Sequence, residues 1–144
     1  MRGPNVFPGY WHNDDATAGA FRDGWLLTGD LAERDDEGNF RILGRLKDMI
    51  VSGGENVYPA EIESVLHEHP AVTDAAVVGV ADERWGEVCS AFVVLASPVS
   101  EDELREHCLA HLARFKVPKS FHVVDELPRN SMGKIQKSEL KVTA

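Results

Sequence analysis

With 144 residues, 43% of them hydrophobic, the chain is long enough for one ordinary core and too apolar for a disordered segment. Its 24 Asp and Glu against 15 Lys and Arg leave a formal charge of −9. That balance opposes non-specific nucleic-acid binding, which needs basic surface to displace counterions from phosphates. No apolar run reaches about 18 residues, so no transmembrane segment is expected. Met1-Arg2-Gly3-Pro4-Asn5 also lacks the apolar stretch of a signal peptide. Cys89 and Cys108 lie in apolar patterns with no metal-type spacing, as expected of two buried, reduced thiols in a cytoplasmic protein.

The first part, residues 1–44, is rich in turns and poor in periodic apolar pattern. A short helix is expected over 14–21, with Asn13 as its N-cap. Trp25-Leu26-Leu27 and Phe40-Arg41-Ile42-Leu43 read as strands, with Asp35-Asp36-Glu37-Gly38 as a turn between them. Two or three short strands cannot bury a core alone, so this stretch reads as a piece of something larger. A charged segment, 45–48, reads as a linker.

From Met49 onward the pattern becomes α+β: a small, mainly antiparallel sheet with helices packed on it. Met49-Ile50-Val51 is a short strand running into a loop, Ser52-Gly53-Gly54-Glu55-Asn56. Pro59 suits the first position of a helix that carries Ile62, Val65, Leu66 and His69 at helical spacing and stops at Pro70. Two strands follow, 72–80 and 88–95, apolar on both faces as if covered by helices. Ser100 with Glu103 forms a capping box opening a helix to about residue 113. Phe121–Val124 is a last strand, and 128–134 reads as a flexible polar loop before a short helical end.

No Walker-type phosphate loop, G-x-G-x-x-G, H-E-x-x-H or G-x-S-x-G occurs. His107 and His111 are four apart on a helix but lack an apparent third ligand, so no metal site is expected, and the histidines read as surface residues. Lys134 follows Gly133 in a loop beside Arg129 and Asn130, with no carboxylate at helical spacing. Such a lysine can bring positive charge to charge developing on a phosphate and a carboxylate; an ordinary exposed loop lysine is the bland alternative. Asp30 could accept two ribose hydroxyls or merely cap a turn. Arg45 could contact the same nucleotide or pair on the surface. Gly53 and Gly54 suit close approach by a narrow ligand as well as any tight turn.

In their order these segments resemble the adenylate-forming superfamily, and within it the C-terminal portion of AMP-forming acyl-CoA synthetases of the fatty-acid–CoA ligase type. The strings carrying the resemblance are Gly24-Trp25-Leu26-Leu27-Thr28-Gly29-Asp30, Gly44-Arg45-Leu46-Lys47-Asp48-Met49-Ile50, Ser52-Gly53-Gly54-Glu55-Asn56-Val57 with Pro59-Ala60-Glu61-Ile62-Glu63, and Leu127-Pro128-Arg129-Asn130-Ser131-Met132-Gly133-Lys134-Ile135. The resemblance implies that ATP and a carboxylic acid, expected to be a fatty acid, give an acyl-adenylate, which coenzyme A then converts to a thioester. It implies Lys134 as the catalytic lysine, Asp30, Arg45 and Asn56 as ATP/AMP-binding residues, and Lys47 as the hinge within 45–48. It also implies that Gly53, Gly54 and Glu55 form a loop against the coenzyme A channel.

By the same resemblance, 1–44 is the edge of a large N-terminal domain and 49–144 the mobile lid. The large domain would hold ATP with Mg and the acyl pocket, and would be the lid's partner. The chain alone is therefore expected to be inactive, as a fragment or a truncated gene product. Association with further copies of the chain stays open. A lid of a peptide-synthetase adenylation domain and a non-catalytic binding or regulatory module are the other readings.

Overall fold

The computed structural model describes residues 1–140. The chain falls into two units, Met1–Lys47 and Asp48–Ala144.

In the first unit, helix α1 (Asp14–Ala20) starts where Asn13 accepts the Ala16 N–H at 3.0 Å, and Asp14 and Asp15 sit at the favourable end of its dipole. Strands β1 (Phe21–Arg22) and β2 (Trp25–Leu26) form a minimal hairpin, and β3 (Asp30–Arg34) pairs antiparallel with β4 (Phe40–Arg45). The turn between β3 and β4 is closed by Asp35, whose carboxylate accepts the Asn39 backbone and side-chain N–H groups at 2.7 and 3.0 Å. Those bonds hold the Asp35 carboxyl below its ordinary pKa. The expected partner of the second strand, Trp25-Leu26-Leu27, is thus corrected. Phe40–Arg45 pairs with Asp30-Leu31-Ala32-Glu33-Arg34, a polar strand without an apolar alternation to announce it. No residue of 1–47 is buried.

The second unit is built on a five-stranded sheet. Strands β7 (Val72–Asp82) and β8 (Gly86–Leu95) pair antiparallel from Val72↔Leu95 to Asp82↔Gly86. Strand β9 (Ser120–Val123) runs parallel to β8, from Ser90↔Ser120 to Val93↔Val123. The short hairpin of β5 (Ile50–Ser52) and β6 (Glu55–Val57) joins β8 at Ser52↔Gly86, giving the order β6-β5-β8-β7. Strand β7 is therefore an edge.

Helix α2 (Pro59–His67) buries Ile62 and Leu66, and α3 (Glu101–His111) buries Leu104 and Cys108. The Ser100 hydroxyl accepts the Glu103 N–H at 3.2 Å, the N-cap half of the expected box. These helical side chains share one cluster with Ala75, Val77, Cys89, Ala91 and Val93. Successive strand residues face opposite ways, so Ala76 and Phe92 fall on the other face. There they are covered by Leu127, Ile135 and Leu140 rather than by a helix. Both faces of β7 and β8 are apolar because one carries helices and the other the C-terminal segment.

Burial raises both thiols, Cys89 and Cys108, to about 11, so both are neutral and unreactive at ordinary pH. His67 and His111 are exposed as expected, but His69 and His107 depart from the surface reading. α2 ends before His69, whose buried ring accepts the Ala71 N–H at 3.2 Å and meets the His107 ring edge-on. His107 donates to the Val65 carbonyl at 2.8 Å, pinning α3 to α2. Among the described residues no three His, Cys, Asp or Glu side chains are grouped to hold a metal ion. None of the described helices is long and apolar enough to cross a membrane.

Candidate functional site

In the first unit, β3 and β4 bring Asp30 and Arg45 opposite each other as register partners. The Arg45 Nε lies 3.0 Å from Asp30 Oδ1, and its Nη1 donates to the Thr28 carbonyl at 3.1 Å. One Asp30 oxygen is left without a bonded partner among the described residues. The pair is partly exposed, so its own contribution to stability is small. A carboxylate held in this way can receive vicinal hydroxyls while the guanidinium faces a phosphate. Lys47 lies in a 3-10 turn, Leu46–Asp48, where the chain passes from one unit to the next.

The stretch 52–56, expected as a loop, is instead the end of a hairpin: Ser52 pairs with Glu55, and only Gly53 and Gly54 form the turn between β5 and β6. Gly53 and Gly54 take φ of +60° and +88°, the two left-handed residues that a two-residue turn of this hand requires. Gly53 N–H donates to the Trp85 carbonyl at 2.8 Å, and a Cβ on Gly53 would lie 2.6 Å from the Trp85 ring. A Cβ on Gly54 would meet nothing. Gly54→Ala should therefore cost about 1–2 kcal/mol for the left-handed backbone alone. Gly53→Ala should cost distinctly more and displace the Trp85 indole. Denaturant titration with the Trp85 NMR resonance as reporter checks this; equal effects at the two positions would contradict it. Glu55 and Asn56 are exposed on β6.

Trp85 also walls a cavity of about 510 Å3 shared with Arg105, Leu109, Arg114, Phe115 and Lys119. Lys119 Nζ stands 6.0 Å from the Trp85 ring centroid, and Lys116 Nζ stands 5.8 Å from that of Phe115. Arg105 is fixed by the Pro118 carbonyl at 2.7 Å and by Glu101. Among the described residues, Arg114 and Lys119 have no carboxylate partner. In a chain of charge −9, this gathering of cations and aromatic faces suits a polyanion bearing a flat ring. Sequence reasoning passed over these residues. The one local signal was the basic-aromatic run Arg114-Phe115-Lys116.

Lys134 is exposed and has no carboxylate partner among the described residues. Its loop, expected to be flexible, is tightly closed. Arg129 bridges to Ile135 across it, and Gln136 N–H donates to the Pro128 carbonyl at 2.8 Å. The Asn130 side chain accepts from Met132 N–H at 3.0 Å and Lys134 N–H at 2.9 Å. Gly133 turns the chain with φ +78°. The backbone at Lys134 is thus fixed, while its ammonium meets no carboxylate among the described residues.

Residues 61–134 match the family model described as AMP-binding enzyme C-terminal domain. The 2-succinylbenzoate–CoA ligase of Bacillus mycoides is 52% identical over 141 residues, 98% of this chain and 29% of that protein. The o-succinylbenzoate–CoA synthetase of Bacillus subtilis, solved with its acyl-adenylate intermediate, superposes with a TM-score of 0.95 at 48% identity. That match covers 99% of this chain and 30% of the other. A Mycobacterium tuberculosis fatty acyl-CoA synthetase is 52% identical with a TM-score of 0.68, over 90% of this chain and 26% of its own. The chain thus spans under a third of the length of these relatives.

Proposed function

Because the chain belongs to the AMP-binding enzyme C-terminal domain family, we propose that it is the C-terminal portion of an AMP-forming acid–CoA ligase. The acid attacks the α-phosphate of ATP to give acyl-adenylate and pyrophosphate, and coenzyme A then displaces AMP. The observation that carries this reading is the closed loop that holds Lys134 by its backbone and leaves its ammonium without a carboxylate partner among the described residues. In the first step Lys134 bridges the attacking carboxylate and the α-phosphate. Asp30 and Arg45 hold the ribose and phosphate, and Asn56 lies near the nucleotide. ATP with Mg and the acid rest mainly on the larger N-terminal part, the proposed partner of this chain. Lys47 is proposed as the hinge between residues 1–44 and the lid, 49–144.

In the second step Gly53, Gly54 and Glu55 border the channel of the thiol arm. Arg114 and Lys119 take the phosphates of the coenzyme A nucleotide, and Trp85 or Phe115 takes its base. Reversing one such charge in the full-length enzyme, Lys119→Glu, should raise the KM for coenzyme A by about 10–100-fold, because a charged hydrogen bond contributes about 1.5–3 kcal/mol. Pyrophosphate release in the absence of coenzyme A should not change; a fall in that step instead would remove the cavity from the coenzyme A site.

For the acid, the B. mycoides and B. subtilis relatives are named for succinylbenzoate, which we take as the first candidate in place of the fatty acid that the sequence suggested. The M. tuberculosis relative keeps a fatty acid as the second. Pyrophosphate release from a panel holding 2-succinylbenzoate and fatty acids of graded length tests both. No release with any carboxylic acid would overturn the ligase reading.

A further inference from the structure

The peptide group joining Gly133 to Lys134 is held at both ends. Its N–H, on Lys134, is accepted by Asn130 Oδ1 at 2.9 Å. Its carbonyl, on Gly133, accepts from Arg129 Nη1 at 2.6 Å. The second arm of that guanidinium, Nη2, is paired with Asp74 Oδ2. Asp74 lies on β7, the long strand paired with β8 along its whole length. Its other oxygen, Oδ1, accepts the Ala75 N–H at 3.0 Å and stands 4.0 Å from His67 Nε2. One guanidinium thus ties a strand of the sheet to the carbonyl immediately before Lys134.

From this geometry we propose that Asp74 and Arg129 are positioning residues for adenylation. They fix the peptide group from which the Lys134 side chain springs, and so aim its ammonium. This rests on the reading of Lys134 as the adenylation lysine. An ion pair this exposed contributes little to stability, about 0–1 kcal/mol. Its placement is instead at the one backbone unit where a small displacement moves a catalytic charge. Misplacement of a reacting group by about 1 Å can cost about a hundredfold in rate. Only adenylation needs the lysine in place, so only that step should respond.

The test uses the full-length enzyme and follows pyrophosphate release separately from thioester formation on supplied acyl-adenylate. Asp74→Asn keeps the acceptor for Ala75 and removes the charge facing Arg129; Arg129→Gln removes the fork. Both should lower kcat for pyrophosphate release by about 10–100-fold, with KM for ATP, thioester formation and melting temperature near wild type. Arg129→Lys, which can serve only one of the two acceptors, should fall between. Hydrogen exchange at the peptide covering 129–136 should quicken in the first two variants, with β8 unchanged. Wild-type pyrophosphate release in both variants, or equal loss in both half-reactions, would overturn the positioning role. Lys134→Ala is run beside them: intact release in that variant would instead overturn the lysine reading beneath it.

Discussion

Replacing Lys134 with alanine in the full-length enzyme is expected to slow pyrophosphate release by about 10²–10³-fold, the usual effect of deleting one preorganised charge donor at a transition state. Thioester formation from supplied acyl-adenylate should stay near wild type. The asymmetry follows from where charge develops. In adenylation the anionic carboxylate attacks the anionic α-phosphate, and charge builds on the phosphoryl oxygens as the bond to pyrophosphate breaks. An ammonium between the two groups offsets both their repulsion and that charge. In thiolysis the thiol attacks the acyl carbon and AMP departs from it. No bond at phosphorus is made or broken, so a charge placed at the α-phosphate matters less. Among the described residues Lys134 has no carboxylate that would compete for its ammonium, and its backbone amide is already ordered by Asn130. Little entropy is therefore spent at the reactive moment. Stopped-flow measurement of the two half-reactions decides the matter, and equal losses in both would argue for a structural lysine.

Leu66→Ala should destabilise the second unit by about 2–5 kcal/mol, as large-to-small changes do at fully enclosed sites. For a unit of this size that corresponds to a fall in melting temperature on the order of 10–30 °C. Leu66 is fully buried on α2, in the cluster that also holds Leu104, Cys108, Val77 and Val93. It therefore links both helices to the sheet, and the surrounding strands are too well paired to collapse into the gap. Scanning calorimetry of the purified chain checks this. A shift of only a few degrees would mean that the helical layer is not packed as described.

Much of the second unit was readable in the residues. The Ser100 cap and the spacing of Leu104, Cys108 and Leu112 specify α3. The apolar runs on either side of Trp85 specify β7 and β8. Where reading fell short, the reason is physical. β3 is polar and exposed, so nothing in Asp30–Arg34 alternates in hydrophobicity. Gly53-Gly54 is also a hairpin signal, but the short strands around it, with polar Ser52 and Glu55 next to the turn, carried too little pattern to show pairing. His69 is buried because α2 stops two residues earlier, so helical spacing no longer decides its direction. Lys134 stands out in the sequence through its motif, not its local chemistry. The cavity cations come from α3, the turn after it and the approach to β9. The Asp74–Arg129 pair spans 55 residues. Convergence of that kind exists only once the chain has folded.

Strand β7 has eleven residues and ends the sheet. An edge of that length would ordinarily invite a strand from another molecule to continue the sheet, the route by which folded proteins begin to aggregate. The middle of its backbone is not free to do so. The Val77 N–H is taken by the Glu63 carboxylate of α2 at 2.8 Å, and the Ala75 N–H by Asp74 on the strand itself. Glu63 is held in turn by Lys137 at 2.6 Å, and Asp74 by Arg129. To pair along the middle of the strand, an incoming strand would have to displace two anchored, negatively charged acceptors. The acids that secure a helix and the loop of Lys134 therefore also keep this long edge of the sheet from acting as a template for polymerisation.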